Sequence, residues 1–403
     1  MLADVPIVLI LVGLAAYTVL AGADFGAGFW ILFAGGGRTS PAATRDHARH
    51  AMGPVWEANH VWLIFVLVVC WTAYPVAFAS IMSTLSVPVF VAAIGIILRG
   101  ASYALRGQLD AAPRRHIIER IFAFSSVLTP FALGTVVGAV ASERVPVGNA
   151  RGDAVASWLN PTSIFIGALA IATSSYLAAV YLAADARRLG ERTVELDFRA
   201  RALWAALCAG ALALLGLLVV RYDARSLFDG LTTGSGLAMV CISAAAGLVT
   251  VVFVWTSRFG PARVSAALAV VAIVAGWALA QRPRFLSGLT ISEAAAGRST
   301  LIAVVIVVAA GAIVLVPSLI VLFSLFLRGR LDAEVTLRAP ALVASGAAVA
   351  SRSGWLRAFA LACLLVGGGL VVLADARWAH ALGVTMLYAF AASAFVLAAT
   401  LDT

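Results

Sequence analysis

Four ionisable side chains interrupt the apolar segments of this chain: Asp24, Glu57, His60 and Arg99. Glu57 and His60 are three residues apart, so on a helix the carboxylate and the imidazole would lie on neighbouring parts of one surface. A carboxylate beside an imidazole can pass protons. Because an ionisable group is costly in hydrocarbon, a functional role is the first hypothesis for each of the four.

Structural roles compete with this hypothesis at two of the four positions. Glu57 follows Gly53 and Pro54, a pair typical of a helix start, where a carboxylate interacts favourably with the helix dipole. Arg99 lies near the end of its apolar segment, so its guanidinium could either snorkel to the membrane surface or bond to a neighbouring helix. The sequence leaves both interpretations of Arg99 open.

The elements that must position these residues are membrane helices. Of the 403 residues, 63% are hydrophobic and only 12% are charged, which is outside the range of soluble domains. Because hydrocarbon offers the backbone no hydrogen-bond partners, apolar runs of roughly 20 residues predict spanning helices. The predicted fold is an all-α polytopic membrane bundle of about eleven helices: 5–34, 54–80, 83–105, 118–141, 160–184, 202–220, 235–256, 262–280, 300–327, 357–374 and 379–400.

The arginines predict the orientation. All 28 basic residues are arginine, and 20 of them lie in or beside the connections that follow odd-numbered spans. Positive charge favours the cytoplasmic side, so we expect the N-terminus outside and the C-terminus in the cytoplasm of a bacterial plasma membrane. The arginines are scattered and form no basic face, which argues against nucleic-acid binding and for contact with membrane lipid.

The histidines and cysteines predict no metal site. Only His60 lies well inside a span, with His380 at the outer edge of the last one, whereas a bis-histidine heme needs two buried imidazoles that face each other. The four cysteines stand alone in apolar spans, without the paired spacing of a zinc or iron–sulfur site. We therefore expect any heme chemistry to belong to a partner subunit.

Several segments, taken together, resemble the second subunit of cytochrome bd-type quinol oxidases. They are "AGADFGAGFW", "GPVWEANHVWLIF", "WTAYPVAFA", "ILRGASYALRG" and "LTISEAAAGRSTL", within roughly residues 1–330. The resemblance implies two four-helix bundles plus one helix, with no heme bound by this chain alone. It implies a heme-bearing subunit I as partner, a proton path from the cytoplasm and, in some members, a structural quinone.

The resemblance also assigns roles to residues. Asp24 matches the acid of the family motif G-F-D-x-G-x-G, and Glu57 stands where W-D-G-N usually has Asp. The proton path is expected to use Glu57 and His60, with Asp24 and Asn59 supporting them. Helix packing is expected to use Trp56, Trp62, Pro75 and Arg99.

Departures from the family pattern point to a divergent member. Ala21 and Ala104 stand where the family usually carries acids. Residues 331–356 are predicted as a linker, and residues 357–403 as an additional transmembrane hairpin beyond the usual nine helices.

Two other functions stay open at this point. The same charges could form the coupling site of a proton- or ion-coupled transporter, although no matching pair of Gly/Pro-interrupted spans supports one. The chain could also be a purely structural membrane subunit, which the alanines at positions 21 and 104 favour.

Overall fold

The computed structural model describes residues 2–50, 55–106, 112–327, 349–373 and 376–401. It describes the backbone but not the side chains of residues 55–58, 106, 112–116, 322–327, 349–354, 371–373, 377, 380, 391–392 and 394–401. The chain forms two compact units, Met1–Leu319 and Ile320–Thr403.

The described chain is helical apart from two short strands. The helices are α1 (Asp4–Leu32), α2 (Pro41–His50), α3 (Val55–Ala73), α4 (Pro75–Thr84), α5 (Ser86–Arg106), α6 (Ala112–Ala141), α7 (Pro161–Arg188), α8 (Arg192–Asp223), α9 (Arg225–Leu231), α10 (Gly234–Trp255), α11 (Phe259–Gln281), α12 (Ile291–Ala294), α13 (Arg298–Leu327), α14 (Val349–Leu373) and α15 (Arg377–Leu401). Within these ranges, eight helices are long and apolar enough to cross a membrane, and shorter apolar segments lie in α3, α4, α14 and α15. The predicted all-α membrane bundle is confirmed.

The helices of the first unit form two groups that share α1. In one group, α1 packs against α3 and α6, α4 against α5, and α5 against α6. In the other, α7, α8, α10 and α11 form a closed ring of four helices. α1 also packs against α7 and α11, so it stands between the two groups.

Gly26 allows α1 to lie close against α7. A Cβ atom at this position of α1 would lie 1.9 Å from the main-chain oxygen of Ser174 on α7. Only glycine allows the two backbones to approach so closely. Gly22, one turn earlier, faces the same helix, but a Cβ atom there would lie 3.5 Å from Leu177, which is ordinary contact.

The predicted second span is two helices, not one kinked helix. α3 ends at Ala73, and Pro75 is the first residue of α4. Since proline cannot donate the main-chain hydrogen bond that would continue α3, the helix breaks at Tyr74. The oxygen of Ala73 accepts a hydrogen bond of 2.8 Å from the N–H of Ala296 instead.

The segment "LTISEAAAGRSTL" forms part of a compact connection between α11 and α13. Strands β1 (Arg284–Leu286) and β2 (Leu289–Thr290) pair antiparallel, and α12 follows directly. Thr290 and Glu293 form a capping box that starts α12. Leu286, 1% exposed, packs into a core shared with α1, α3 and α4, so this connection closes one end of the first helix group.

The second unit contains α14 and α15, which pack against each other. A Cβ atom at Gly367 of α14 would lie 3.0 Å from the oxygen of Gly383 on α15. The predicted linker lies mostly outside the described residues, and its last part, from Val349, belongs to α14. The division at residues 331 and 357 stays a prediction.

Candidate functional site

Asp24 and Arg99 meet inside the first helix group. Asp24 lies on α1 and Arg99 on α5, and only 7% and 1% of their surfaces are exposed. Nη2 of Arg99 lies 2.6 Å from Oδ1 of Asp24 and donates a hydrogen bond of 3.1 Å to the main-chain oxygen of Asp24. Arg99 therefore bonds to a neighbouring helix, and the snorkelling interpretation is wrong.

Three side chains enclose the guanidinium of Arg99. Nη1 donates to the hydroxyl of Ser126 on α6. The rings of Phe25 and Phe122 cover the guanidinium, with centroids 4.9 and 4.4 Å from its carbon atom. Burial makes these cation–π contacts stronger than they would be in water. We call this group, Asp24, Phe25, Arg99, Phe122 and Ser126, the Asp24 cluster.

The carboxylate of Asp24 keeps unused acceptor capacity. Its contact with Arg99 is short but poorly aligned, and neither oxygen accepts a well-formed hydrogen bond from a described residue. The hydroxyl of Tyr17, two turns earlier on α1, is also buried and has no hydrogen-bond partner in the described part of the chain. Buried polar atoms of this kind are normally satisfied, often by an internal water.

Helix α3 places two of the expected residues beside this cluster. Asn59 donates a hydrogen bond of 3.4 Å to the oxygen of Leu20 on α1. The imidazole of His60 packs against Phe25 and Tyr17, with ring centroids 6.1 and 6.0 Å away. Since Phe25 touches both His60 and Arg99, one aromatic ring separates the imidazole from the guanidinium.

The structure does not describe all of the expected site residues. Trp62 packs against the small core of Tyr17, Ala21 and Phe25, as a packing residue should. The backbone of Trp56 and Glu57 lies in the first turn of α3, but their side chains lie outside the described residues. The predicted pairing of Glu57 with His60 therefore stays a prediction.

A second buried polar group, which the sequence did not predict, ties α8 to the turn between α1 and α2. Asp197 on α8 accepts hydrogen bonds from the N–H of Arg38 at 3.0 Å and the hydroxyl of Thr39 at 2.7 Å. It also pairs with Nε of Arg201 at 3.3 Å. A Cβ atom at Gly37 would lie 2.1 Å from Oδ1 of Asp197, so the turn requires glycine there.

Arg201 and His47 extend this second group. Arg201 donates to the main-chain oxygens of Phe33 and Ala34 at the end of α1, at 2.9 and 3.2 Å. His47 on α2 is buried, with its Nε2 3.0 Å from the oxygen of Leu182 on α7 and its Nδ1 3.2 Å from the carboxylate of Glu191. We call Gly37, Arg38, Thr39, His47, Asp197 and Arg201 the Asp197 cluster. The only sign of the Asp197 cluster in the sequence was the spacing of Asp197 and Arg201, a carboxylate four residues before an arginine.

The described histidines and acids were compared with what a metal centre requires. No group of three or more His, Cys, Asp or Glu side chains comes together within the described residues in a way that could hold a metal ion. Of the described histidines, His47 is bound between α2 and α7 and His50 is exposed, so neither faces His60 as a second axial ligand. The arrangement is suited to holding charge and protons.

Comparison with known proteins decides the family. The model of the family described as cytochrome bd terminal oxidase subunit II matches residues 2–326. The chain belongs to the cytochrome bd terminal oxidase subunit II family. The match ends within α13, so α14 and α15 lie beyond the shared part.

Two relatives agree with this membership. Cytochrome bd ubiquinol oxidase subunit 2 of Bacillus subtilis (strain 168) is 27% identical over 133 residues, which are 33% of this chain and 38% of that protein. The aligned part of the chain thus spans less than two fifths of the length of this curated relative. The structure of bd oxidase from Geobacillus thermodenitrificans matches with a TM-score of 0.67 and 24% identity, covering 81% of this chain and 98% of the matched one. This structural likeness shows a shared fold.

Proposed function

We propose that this chain is the heme-free membrane subunit of a bd-type quinol:oxygen oxidoreductase and carries part of a proton path from the cytoplasm. The observation that supports the path is the Asp24 cluster. An ion pair buried among helices is costly to build, and its carboxylate still has acceptor capacity unused by the described residues. A purely structural pair would be expected to use that capacity.

Asp24 and Arg99 have separate roles in this proposal. Arg99 holds a positive charge 2.6 Å from the carboxylate of Asp24, which offsets the negative charge left there when a proton departs. Tyr17 and His60 supply a hydroxyl and an imidazole, and both of their rings pack against Phe25 of the Asp24 cluster. Asn59 holds α3 against α1. Together these groups could bind water and hold a proton at the carboxylate of Asp24 or the imidazole of His60.

Glu57 completes the path in this proposal. Its backbone lies one turn before His60 in α3, so its carboxylate would lie on the same part of the helix surface. Protons would leave through Glu57 and His60 towards the partner. The partner is proposed to be the heme-bearing subunit I, whose hemes reduce oxygen to water and consume these protons.

The orientation is part of the same proposal. The arginine-rich end of the bundle, where α1 ends and α2 follows, would face the cytoplasm, with the N-terminus outside and the C-terminus inside. Asp24, Arg99 and His60 all lie nearer this end of their helices. A quinone bound against this chain, as in some members of the family, would lie apart from the path and would not take part in it.

Two variants of Glu57 test the proposal in the purified complex. Glu57→Gln keeps the shape and removes the proton site, and Glu57→Ala removes both. Oxygen consumption and proton uptake should fall together in each, by about a hundredfold if Glu57 is the main relay. Unchanged rates in both variants would leave this chain with a structural role only.

A further inference from the structure

A small cavity lies between α1, α2, α5 and α6, beside the Asp24 cluster. Its volume is about 20 Å³, and its lining includes Ile31, Arg49, Ser102, Tyr103, Glu119 and Phe122. One water needs roughly 10–15 Å³ measured in this way, so the cavity has room for about one. The hydroxyl of Ser102 and the charged groups of Arg49 and Glu119 give it the polar lining that a water requires.

An ion pair forms one side of the cavity. Arg49 on α2 and Glu119 on α6 approach to 2.6 Å, with 16% and 14% of their side-chain surfaces exposed. Most of each side chain is therefore covered while a small part stays exposed, at the arginine-rich end of the bundle that the proposed orientation places in the cytoplasm. A carboxylate in this position can exchange protons with bulk water on one side and with an internal water on the other.

On its opposite side, the cavity borders the Asp24 cluster. Phe122 lines the cavity and also lies over the guanidinium of Arg99, with 4.4 Å from its ring centroid to the guanidinium carbon. Ser102 lies one turn after Arg99 on α5, and Glu119 lies one turn before Phe122 on α6. The cavity is thus separated from the buried ion pair by a single aromatic ring.

We propose that Glu119 loads protons into this cavity, which is the mouth of the path that leads to Asp24. This inference rests on the proposed function and adds the residue at which the path begins. A proton from the aqueous side neutralises the carboxylate of Glu119. Glu119 then gives that proton to the cavity water. While the ring of Phe122 is turned aside, this water releases another proton towards Asp24, and the carboxylate of Glu119 returns to its ion pair with Arg49.

The charges around the cavity suit this role. Two guanidiniums, those of Arg49 and Arg99, face two carboxylates, those of Glu119 and Asp24. Arg49 can turn its partly exposed guanidinium to water while Glu119 is neutral, because part of it already reaches the surface.

The test uses Glu119→Gln in the purified complex, with Glu119→Asp as the conservative variant. Asp185→Asn is the matched control, because Asp185 is an equally covered carboxylate (18% exposed) paired with Arg263 at 2.6 Å in the other helix group. Glu119→Gln should lower the turnover number and proton uptake by about tenfold or more, with the KM for quinol unchanged. Glu119→Asp should restore most of the rate, and Asp185→Asn should stay within about twofold of the wild type.

A second variant blocks the cavity without touching the ion pair. Ser102→Val fills space beside the proposed water and should slow proton uptake even if Glu119→Gln fails to assemble. Wild-type rates in Glu119→Gln, or equal losses in Glu119→Gln and Asp185→Asn, would overturn the role of Glu119. If Glu57→Gln is inactive while Glu119→Gln is not, the path exists but begins elsewhere; if neither loses activity, both proposals fail.

Discussion

The two buried polar clusters differ in what their carboxylates do. Asp197 accepts two hydrogen bonds, one from the main chain and one from a hydroxyl, and also pairs with Arg201. Asp24 has one poorly aligned contact with Arg99 and no well-formed hydrogen bond from a described residue. Both are almost fully buried, with 3% and 7% of their surfaces exposed, so burial does not distinguish them.

We interpret this difference as that between a structural carboxylate, Asp197, and the proposed proton site, Asp24. A carboxylate that accepts hydrogen bonds at both of its oxygens, as Asp197 does, stabilises the elements around it and resists protonation. A carboxylate with spare lone pairs can take a water or a proton at little structural cost. The Asp197 cluster therefore closes the turn between α1 and α2, and the Asp24 cluster is the one suited to chemistry.

The largest expected effect follows from breaking the Asp24 cluster at its arginine. Arg99→Gln leaves the carboxylate of Asp24 buried without its counter-charge, which should cost about 3–5 kcal/mol of stability. Thermal unfolding of the purified complex measures this loss. Adding Asp24→Asn to Arg99→Gln should recover a large part of it, and a double variant as unstable as the single one would contradict the pairing.

A somewhat smaller effect is expected from Asp197→Ala. Removing this carboxylate leaves Arg201 without its charge partner and the turn at Arg38 and Thr39 without its acceptor, at a cost of about 2–4 kcal/mol. Limited proteolysis should then cut the turn between α1 and α2 faster. The rate of each correctly assembled complex should stay near that of the wild type.

Alanine substitutions at glycines beside each cluster test the comparison of the two clusters without changing any charge. A Cβ atom at Gly28 would lie 2.2 Å from the hydroxyl of Ser126, and one at Gly37 would lie 2.1 Å from Asp197. Gly28→Ala and Gly37→Ala should each destabilise the complex by about 1–3 kcal/mol. Only Gly28→Ala should also lower activity. Gly35→Ala is the control, because a Cβ atom there meets nothing within 4 Å.

The smallest effect is expected at an exposed carboxylate, which gives the baseline for both clusters. Hydrogen bonds from the side chain and main chain of Thr290 hold the pKa of Glu293 below its ordinary value of 4.5. A lowered pKa contributes stability that is complete above the ordinary value and is lost as the pH falls through the folded-state value. Glu293→Gln should therefore lower the unfolding temperature slightly at pH 7, and the difference should shrink below about pH 4.

The sequence predicted the first cluster better than the second, for a physical reason. Asp24, His60 and Arg99 stand out because a charge is rare in an apolar span. Which of them pair depends on how α1 and α5 pack, and the periodicity of the sequence does not reveal this packing. The sequence therefore left open whether Arg99 bonds to a neighbouring helix or snorkels to the membrane surface. Asp197, Arg201 and Glu119 lie in or near polar connections, where charges are ordinary, and only the folded chain shows that they are covered.

The fold was likewise predictable only in part. Long apolar runs identified the membrane helices, because the bilayer permits little else. The break at Tyr74 was not predicted, because residues 54–80 read as one apolar run. The hydrogen bond that Ala296 donates to Ala73 at this break comes from a distant part of the chain. The strand pair between α11 and α12 is too short to give an alternating pattern in the sequence.

Proton uptake by the complex in sealed vesicles, compared between Asp24→Asn and Asp197→Asn at equal heme content, tests the central claim most directly. Asp24→Asn should slow uptake from the cytoplasmic side by about tenfold or more, whereas Asp197→Asn should leave the rate per complex within about twofold of the wild type. Equal rates in the two variants, or a greater loss in Asp197→Asn, would contradict the assignment of the proton path to the Asp24 cluster.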